Sequence, residues 1–185
     1  MGQPFLVVLA GLPGTGKTTL ARRLAGSLGA AYLRVDAIET AVIRSGLAVA
    51  GQIGVVGYVV AQEITSANLA VGLPVVVDAV NPVAESRQAW PALVAPGRLI
   101  FFETVIPDRA EHRRRVEARL PDMAGQKVPG WQEVEDRHYT PWNEDTDGPR
   151  QVIDMTLTDR GVATAIEHLR GHGLWAVRRP SRTRP

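Results

Sequence analysis

The chain has 185 residues, enough for one compact domain with its own core. It contains no cysteine, which excludes disulfides and thiolate metal sites. The formal charge of +2 comes from Arg178, Arg179, Arg182 and Arg184; residues 1–177 carry 17 basic and 19 acidic side chains, which argues against a basic nucleic-acid platform.

Taken in order, the apolar runs "FLVVLA" (5–10), "AYLRV" (31–35), "PVVVDAV" (74–80), "LIFFETV" (99–105) and "QVIDM" (151–155) read as strands. Helical patterns lie between them at 17–28, 36–45, 55–71, 82–94, 108–119, 131–139 and 161–170. In 55–71, Val56, Val59, Val60, Ile64, Ala67 and Val71 fall on one face and are expected to be buried. Trp131, Val134 and His138 are spaced as the buried stripe of their helix. Such alternation implies right-handed crossovers and a parallel sheet with helices on both faces. The Gly- and Pro-rich stretch 120–130 reads either as a surface loop or as part of a mobile lid spanning about 113–130. One domain over 1–172 and a basic, flexible tail over 173–185 are expected.

The first run lacks a basic flank and is interrupted by Gly11 and Pro13, unlike a signal peptide. Leu6 stands where a myristoylation signal wants Ser or Thr. No stretch approaches the roughly 20 apolar residues of a membrane span, so a cytoplasmic protein is expected.

"GLPGTGKTT", between the first strand and the first helix, matches the phosphate-loop pattern Gly11-x4-Gly16-Lys17-Thr18. Glycines let backbone N–H groups approach phosphates, and the following helix points its positive end at them. Gly11, Pro13, Gly14, Thr15, Gly16, Lys17, Thr18 and Thr19 are the expected phosphate-binding set. Lys17 would reach the β- and γ-phosphates of ATP or GTP, and Thr18 would ligate the accompanying Mg²⁺. No Asn-Lys-x-Asp guanine reader is present, and Ala79 follows Asp78 where hydrolytic motors usually carry glutamate. Hydrolysis therefore reads as secondary.

Ligands of an open parallel sheet bind beyond the carboxyl ends of its strands, where Asp36 and Asp78 fall. Asp36 fits the base that takes a proton from an acceptor hydroxyl, or else caps a helix. Asp78 would hold Mg²⁺ through water or orient the acceptor. Arg115 and Arg119, four apart, read either as lid arginines that reach the phosphates or the base, or as part of a self-paired surface. Asn81 and Arg87 would line an acceptor pocket, unless Arg87 faces solvent.

"GLPGTGKTTLARRLA", "RVDAI", "VVVDAVNPVAESRQAW", "EHRRRVEAR" and "GWQEVEDRHYTPW" together resemble the small AAA-like P-loop kinases, over nearly the whole chain to about residue 170. These are similar in turn to gluconate kinase, adenylylsulfate kinase, polynucleotide 5′-hydroxyl kinase and chloramphenicol phosphotransferase. The resemblance implies a P-loop α/β fold with a five-stranded sheet of order 2-3-1-4-5. It also implies an aspartate base matching Asp36 and lid arginines matching Arg115 and Arg119. Polynucleotide-kinase-like members often have arginine where this chain has Glu39. An acid there would repel a 3′-phosphate and favour a neutral or cationic acceptor, unless Glu39 faces solvent.

The leading expectation is phosphoryl transfer from a nucleoside triphosphate to the hydroxyl of a small molecule. Candidate acceptors are an antibiotic or nucleoside-like natural product, a sugar or sugar acid, and a nucleoside. The arginine-heavy, lysine-poor composition suits a GC-rich genome, which is compatible with antibiotic self-resistance but does not require it. The alternatives are a polynucleotide 5′-hydroxyl kinase and a nucleotide-gated binding protein with no acceptor of its own.

Overall fold

The apolar runs form five strands: β1 (Leu6–Ala10), β2 (Ala31–Arg34), β3 (Val75–Asp78), β4 (Leu99–Val105) and β5 (Arg150–Asp154). They pair in parallel in the order β2-β3-β1-β4-β5. The structure is a computed structural model that describes residues 3–49 and 52–175. The helices are α1 (Lys17–Leu28), α2 (Val35–Arg44), α3 (Val56–Ala70), α4 (Ala84–Gln88), α5 (Arg109–Glu117), α6 (Trp131–Glu135), α7 (Glu144–Asp147) and α8 (Thr158–Gly171).

Strand β1 is buried throughout and splits its side chains between two cores, as period-2 alternation requires. Val7 and Leu9 pack with Leu20 and Leu24 of α1, Phe102 of β4 and Leu169 of α8. Leu6 and Val8 face Val75, Val77, Phe101, Trp90, and Ala61 and Leu69 of α3. Fully burying one such leucine or valine contributes about 1.5–3 kcal/mol, so the double covering fixes the sheet. Leu9 and Arg34 both register with Asp78, which brings the carboxyl ends of β1, β2 and β3 level at one edge.

Three sequence expectations need correction. Helix α3 does not bury its valine face: Gly57, Ala61, Thr65 and Leu69 are buried, while Val56, Val59, Ile64 and Val71 are exposed. Small side chains at every fourth position allow α3 to lie close to its neighbours, and this outweighs the larger apolar moment of the valines. The helix expected at 82–94 ends at Gln88 and continues only as a short 3-10 turn, Pro91–Leu93. The helix expected at 131–139 stops at Glu135, so Val134 is buried but His138 is exposed.

The flexible-tail expectation falls partly outside the described residues, from residue 176 onward. Within them, Leu174 belongs to the core and Trp175 packs against it, so the packed domain reaches beyond residue 172. No helix among the described residues is long and apolar enough to cross a membrane.

Candidate active site

The loop after β1 is held in shape from behind. Gly11 (φ +127°) and Gly14 (φ +85°) occupy backbone regions that disfavour a side chain. A Cβ on Gly11 would stand 2.4 Å from the Thr104 carbonyl oxygen, and one on Gly14 would stand 2.6 Å from Val116 Cγ2. The Thr15 hydroxyl turns inward, donating to the Leu12 carbonyl (2.8 Å) and pairing with Thr104 Oγ1 (2.7 Å). Buried His112 of α5 reaches the Pro13 carbonyl through Nε2 (2.8 Å), a contact that requires the proton on Nε2. Gly11 and Thr15 therefore shape the loop rather than border the cavity in front of it. Its border is formed by Pro13, Gly14, Gly16, Lys17, Thr18 and Thr19.

That cavity has a volume of about 770 Å³ and lies where α1 leaves the loop, so the helix N-terminus faces into it. Lys17 is buried, and its amine donates to the Leu12 carbonyl at 2.8 Å. Burial lowers its pKa to about 8, against the opposing pull of Asp78 and Asp36. An arriving phosphate would offer this amine a charged partner in place of a carbonyl.

Asp36 lines the same cavity. Helix α2 begins at Val35 with Arg34 in the capping position and no side-chain cap, so Asp36 is not a helix cap. Asp78 also borders the cavity but is largely committed: it accepts a hydrogen bond from the Tyr32 hydroxyl (2.9 Å) and lies 3.7 Å from Arg34 Nε. The Thr18 hydroxyl and the Asp78 carboxylate supply hard oxygen donors of the kind magnesium takes. No group of three or more His, Cys, Asp or Glu among the described residues could hold a metal by itself. The donor set therefore fits an ion that arrives already coordinated by phosphates.

The segment 118–130 lies over the acceptor end. Leu120, Asp122, Gly125, Gln126, Lys127 and Pro129 all border the cavity. Asp122 fastens this segment to the sheet through Arg34 Nη1 (2.8 Å) and to α1 through Arg22 (2.9 Å). Burial alone would raise its pKa, but the two guanidiniums hold it below the usual carboxylate range.

The arginines divide sharply. Arg113 and Arg114 pair with Glu117 and Glu111 on the surface. Arg115 borders the cavity, yet its nitrogens are taken by Glu111 and by the Met155 and Thr156 carbonyls. Arg119 borders the cavity with no ion-pair partner among the described residues. Arg137, which sequence reasoning missed, does the same from the segment after α6 and bears electrostatically on both Lys17 and Glu39.

Asn81 and Arg87 are not in the acceptor pocket. Asn81 is fully buried at φ 48°, with its amide donating to the Leu9 carbonyl (2.7 Å) and accepting from Trp90 Nε1 (3.0 Å). Arg87 is equally buried, paired with Asp147 at 2.9 Å and donating to the Asn81 and Thr140 carbonyls. Their polar atoms are consumed in tying the loop after β3 to the segment before β5. Neither residue borders the cavity.

Comparison with known proteins bears on this arrangement. A family described as an AAA domain (AAA_33) matches residues 6–130, which contain the phosphate loop, Asp36, Asp78, Arg115 and Arg119. The chain belongs to this AAA-domain family. Among solved structures, a sugar kinase from Janibacter sp. HTCC2649 superposes with a TM-score of 0.69 at 17% identity, over 94% of this chain and 99% of its own. A gluconokinase from Sinorhizobium meliloti 1021 gives 0.57 at 18% identity, over 92% and 98%. Kti12 from Chaetomium thermophilum, in complex with ADP-AlF3, gives 0.66 at 17% identity, over 90% and 98%. At these identities the likeness establishes the fold alone, a P-loop NTPase-like fold. None of the curated proteins matches the chain significantly.

Proposed function

We propose that the protein transfers the γ-phosphoryl group of ATP or GTP to a hydroxyl of a small molecule. The observation that carries this reading is the shared cavity, which Lys17 and Thr18 border together with Asp36, not engaged as a helix cap, and the segment 118–130. Phosphoryl transfer asks a protein mainly for positioning and charge stabilisation, plus a group to accept the acceptor's proton. Lys17 and the backbone N–H groups of the loop would bind the phosphates. Thr18, and Asp78 through water, would hold magnesium, which would supply charge neutralisation to the phosphates. Asp36 would take the proton of the attacking hydroxyl. Arg119 and Arg137, both without carboxylate partners among the described residues, would meet the charge on the transferred group. Arg115 would brace the lid from the carbonyls that follow β5. The fastening of 118–130 through Asp122 would shut water out of the reacting end.

Candidate acceptors are a sugar, a nucleoside and an antibiotic or nucleoside-like natural product, the last in a self-resistance role. Glu39 at the acceptor end counts against a polynucleotide, whose phosphates it would repel. A panel of metabolites and antibiotics incubated with γ-labelled ATP or GTP tests the proposal. Label should enter an organic phosphoester, identified by mass. Label released only as inorganic phosphate, or retained in the nucleotide across the panel, would overturn it.

A further inference from the structure

Helix α2 presents a graded stripe to the acceptor end of the cavity. Asp36, Glu39, Thr40 and Ile43 all border it. At 1.5 Å per residue, Glu39 lies about 4.5 Å and Ile43 about 10 Å further along the axis than Asp36. Ile43, one turn beyond Glu39 on α2, adds apolar surface to the lining together with Ile53, Leu120 and Pro129, beside the polar Gln126 and Lys127.

Glu39, half-buried, is the unpaired member. Its stem lies on bare backbone of α3: a Cβ on Gly57 would come within 2.6 Å of Glu39 Cγ and 2.9 Å of Oε1. The carboxylate therefore has a prepared seat and does not lie there by chance. Among the described residues it has no hydrogen-bond or ion-pair partner; the charges that bear on it are Asp36 on its own helix and Arg137 after α6. Burial and the neighbouring Asp36 together push its pKa up to about 7. Arg34 spans three carboxylates, pairing with Asp122 at 2.8 Å and with Asp36 at 3.5 Å and lying 3.7 Å from Asp78, and it does not reach Glu39. Arg119 and Arg137 also border the cavity, but neither forms an ion pair with Glu39, so among the described residues this carboxylate keeps an open place for a cation.

We infer that the acceptor is an amino alcohol with an apolar body: its hydroxyl at Asp36, its protonated nitrogen at Glu39, and its carbon skeleton against Ile43 and Ile53. An ammonium group relieves the repulsion between the two carboxylates and fills the open hydrogen-bonding capacity of Glu39. A sugar acid places a third negative charge in the same space. A neutral polyol satisfies Glu39 but leaves the apolar wall without a partner.

This inference rests on the phosphotransferase reading for its hydroxyl position, and its test separates the two. The probes are matched triplets built on one phenyl-bearing skeleton: a 1,2- to 1,4-amino alcohol, the neutral alcohol lacking the amine, and the corresponding hydroxy acid. Binding to protein saturated with a non-hydrolysable ATP analogue is measured by calorimetry, and transfer is measured with γ-labelled ATP. The amine member should bind at least tenfold more tightly than its neutral partner, and the acid weakest. Glu39→Gln should abolish that preference through KM, with kcat changing less. Gly57→Ala, which displaces the Glu39 side chain without removing its charge, should weaken the preference as well. Equal or better binding of the neutral or acidic member, an unchanged preference in Glu39→Gln, or no binding by any amine overturns the inference. Selective amine binding without a phosphorylated product leaves the inference standing and removes the phosphotransferase reading instead.

Discussion

The two ends of the cavity are built on opposite plans. At the phosphate end, loop geometry is fixed before any ligand arrives: Gly11 and Gly14 fit where no side chain can, and Thr15 and His112 hold the loop from behind. Even the Lys17 amine has a temporary partner in the Leu12 carbonyl. At the acceptor end, groups are left wanting: Glu39 has no partner among the described residues, and Arg119 and Arg137 have no carboxylate partner there. A preformed end suits a ligand whose shape never varies, namely a chain of phosphates. An unsatisfied end suits one whose own groups complete the site. The contrast gives each end a distinct mutational signature.

The largest effect belongs to the preformed end. Gly14→Ala forces a Cβ into Val116 at a positive φ, a strain of about 1–3 kcal/mol, and should lower nucleotide affinity about 10- to 100-fold. Fluorescent nucleotide titration measures it. Retained affinity would mean that the loop is not preset.

Next comes Lys17. Its pKa of about 8 lies below the ordinary value, and bound phosphate should raise it again. Nucleotide binding should therefore take up a proton as pH rises through about 8, and affinity should fall by up to about tenfold per pH unit above that point. Calorimetry in buffers of different ionisation enthalpy reads the proton directly. The same depression means that the free protein binds fewer protons than the unfolded chain between about pH 8 and 10.5, so this group makes stability rise with pH across that window.

The smallest effect lies at the unsatisfied end and has the opposite sign. Glu39 has a folded pKa of about 7 against an ordinary 4.5, so the folded state binds more protons between those values. Its contribution to stability falls as pH rises through that window, and the penalty is fully present above pH 7. Glu39→Gln should raise Tm by a few degrees at pH 8 and leave it nearly unchanged at pH 4.5. A variant less stable than the parent at pH 8 would show that Glu39 is partnered after all.

The same contrast explains what could be read from sequence. The strands and the phosphate loop were legible because they rest on local rules: apolar runs, glycine spacing, and a lysine that is one of only two in the chain; the strand order came only with the family resemblance. Asp36 and Asp78 were placed by the rule that ligands bind beyond the carboxyl ends of parallel strands. His112, Asp122 and Arg137 were not legible, since their roles depend on segments far apart in the chain: Pro13 and His112, Arg34 and Asp122. Asn81 and Arg87 misled for the reverse reason. Their chemistry suited a pocket, but Trp90, Asp147 and the carbonyls around them had already consumed it. The valine face of α3 misled because periodicity weighs hydrophobicity, whereas Gly57, Ala61 and Thr65 gain their burial from smallness.

The central claim is that one end of the cavity binds the donor and the other directs its phosphoryl group to an alcohol. Asp36→Asn tests it most directly when nucleotide affinity and phosphoester formation are measured on the same sample. Affinity should stay within about twofold of the parent while transfer falls about 10²- to 10⁴-fold, the range expected for loss of a general base. Transfer at the parent rate, or loss of nucleotide binding in parallel with transfer, would contradict the account.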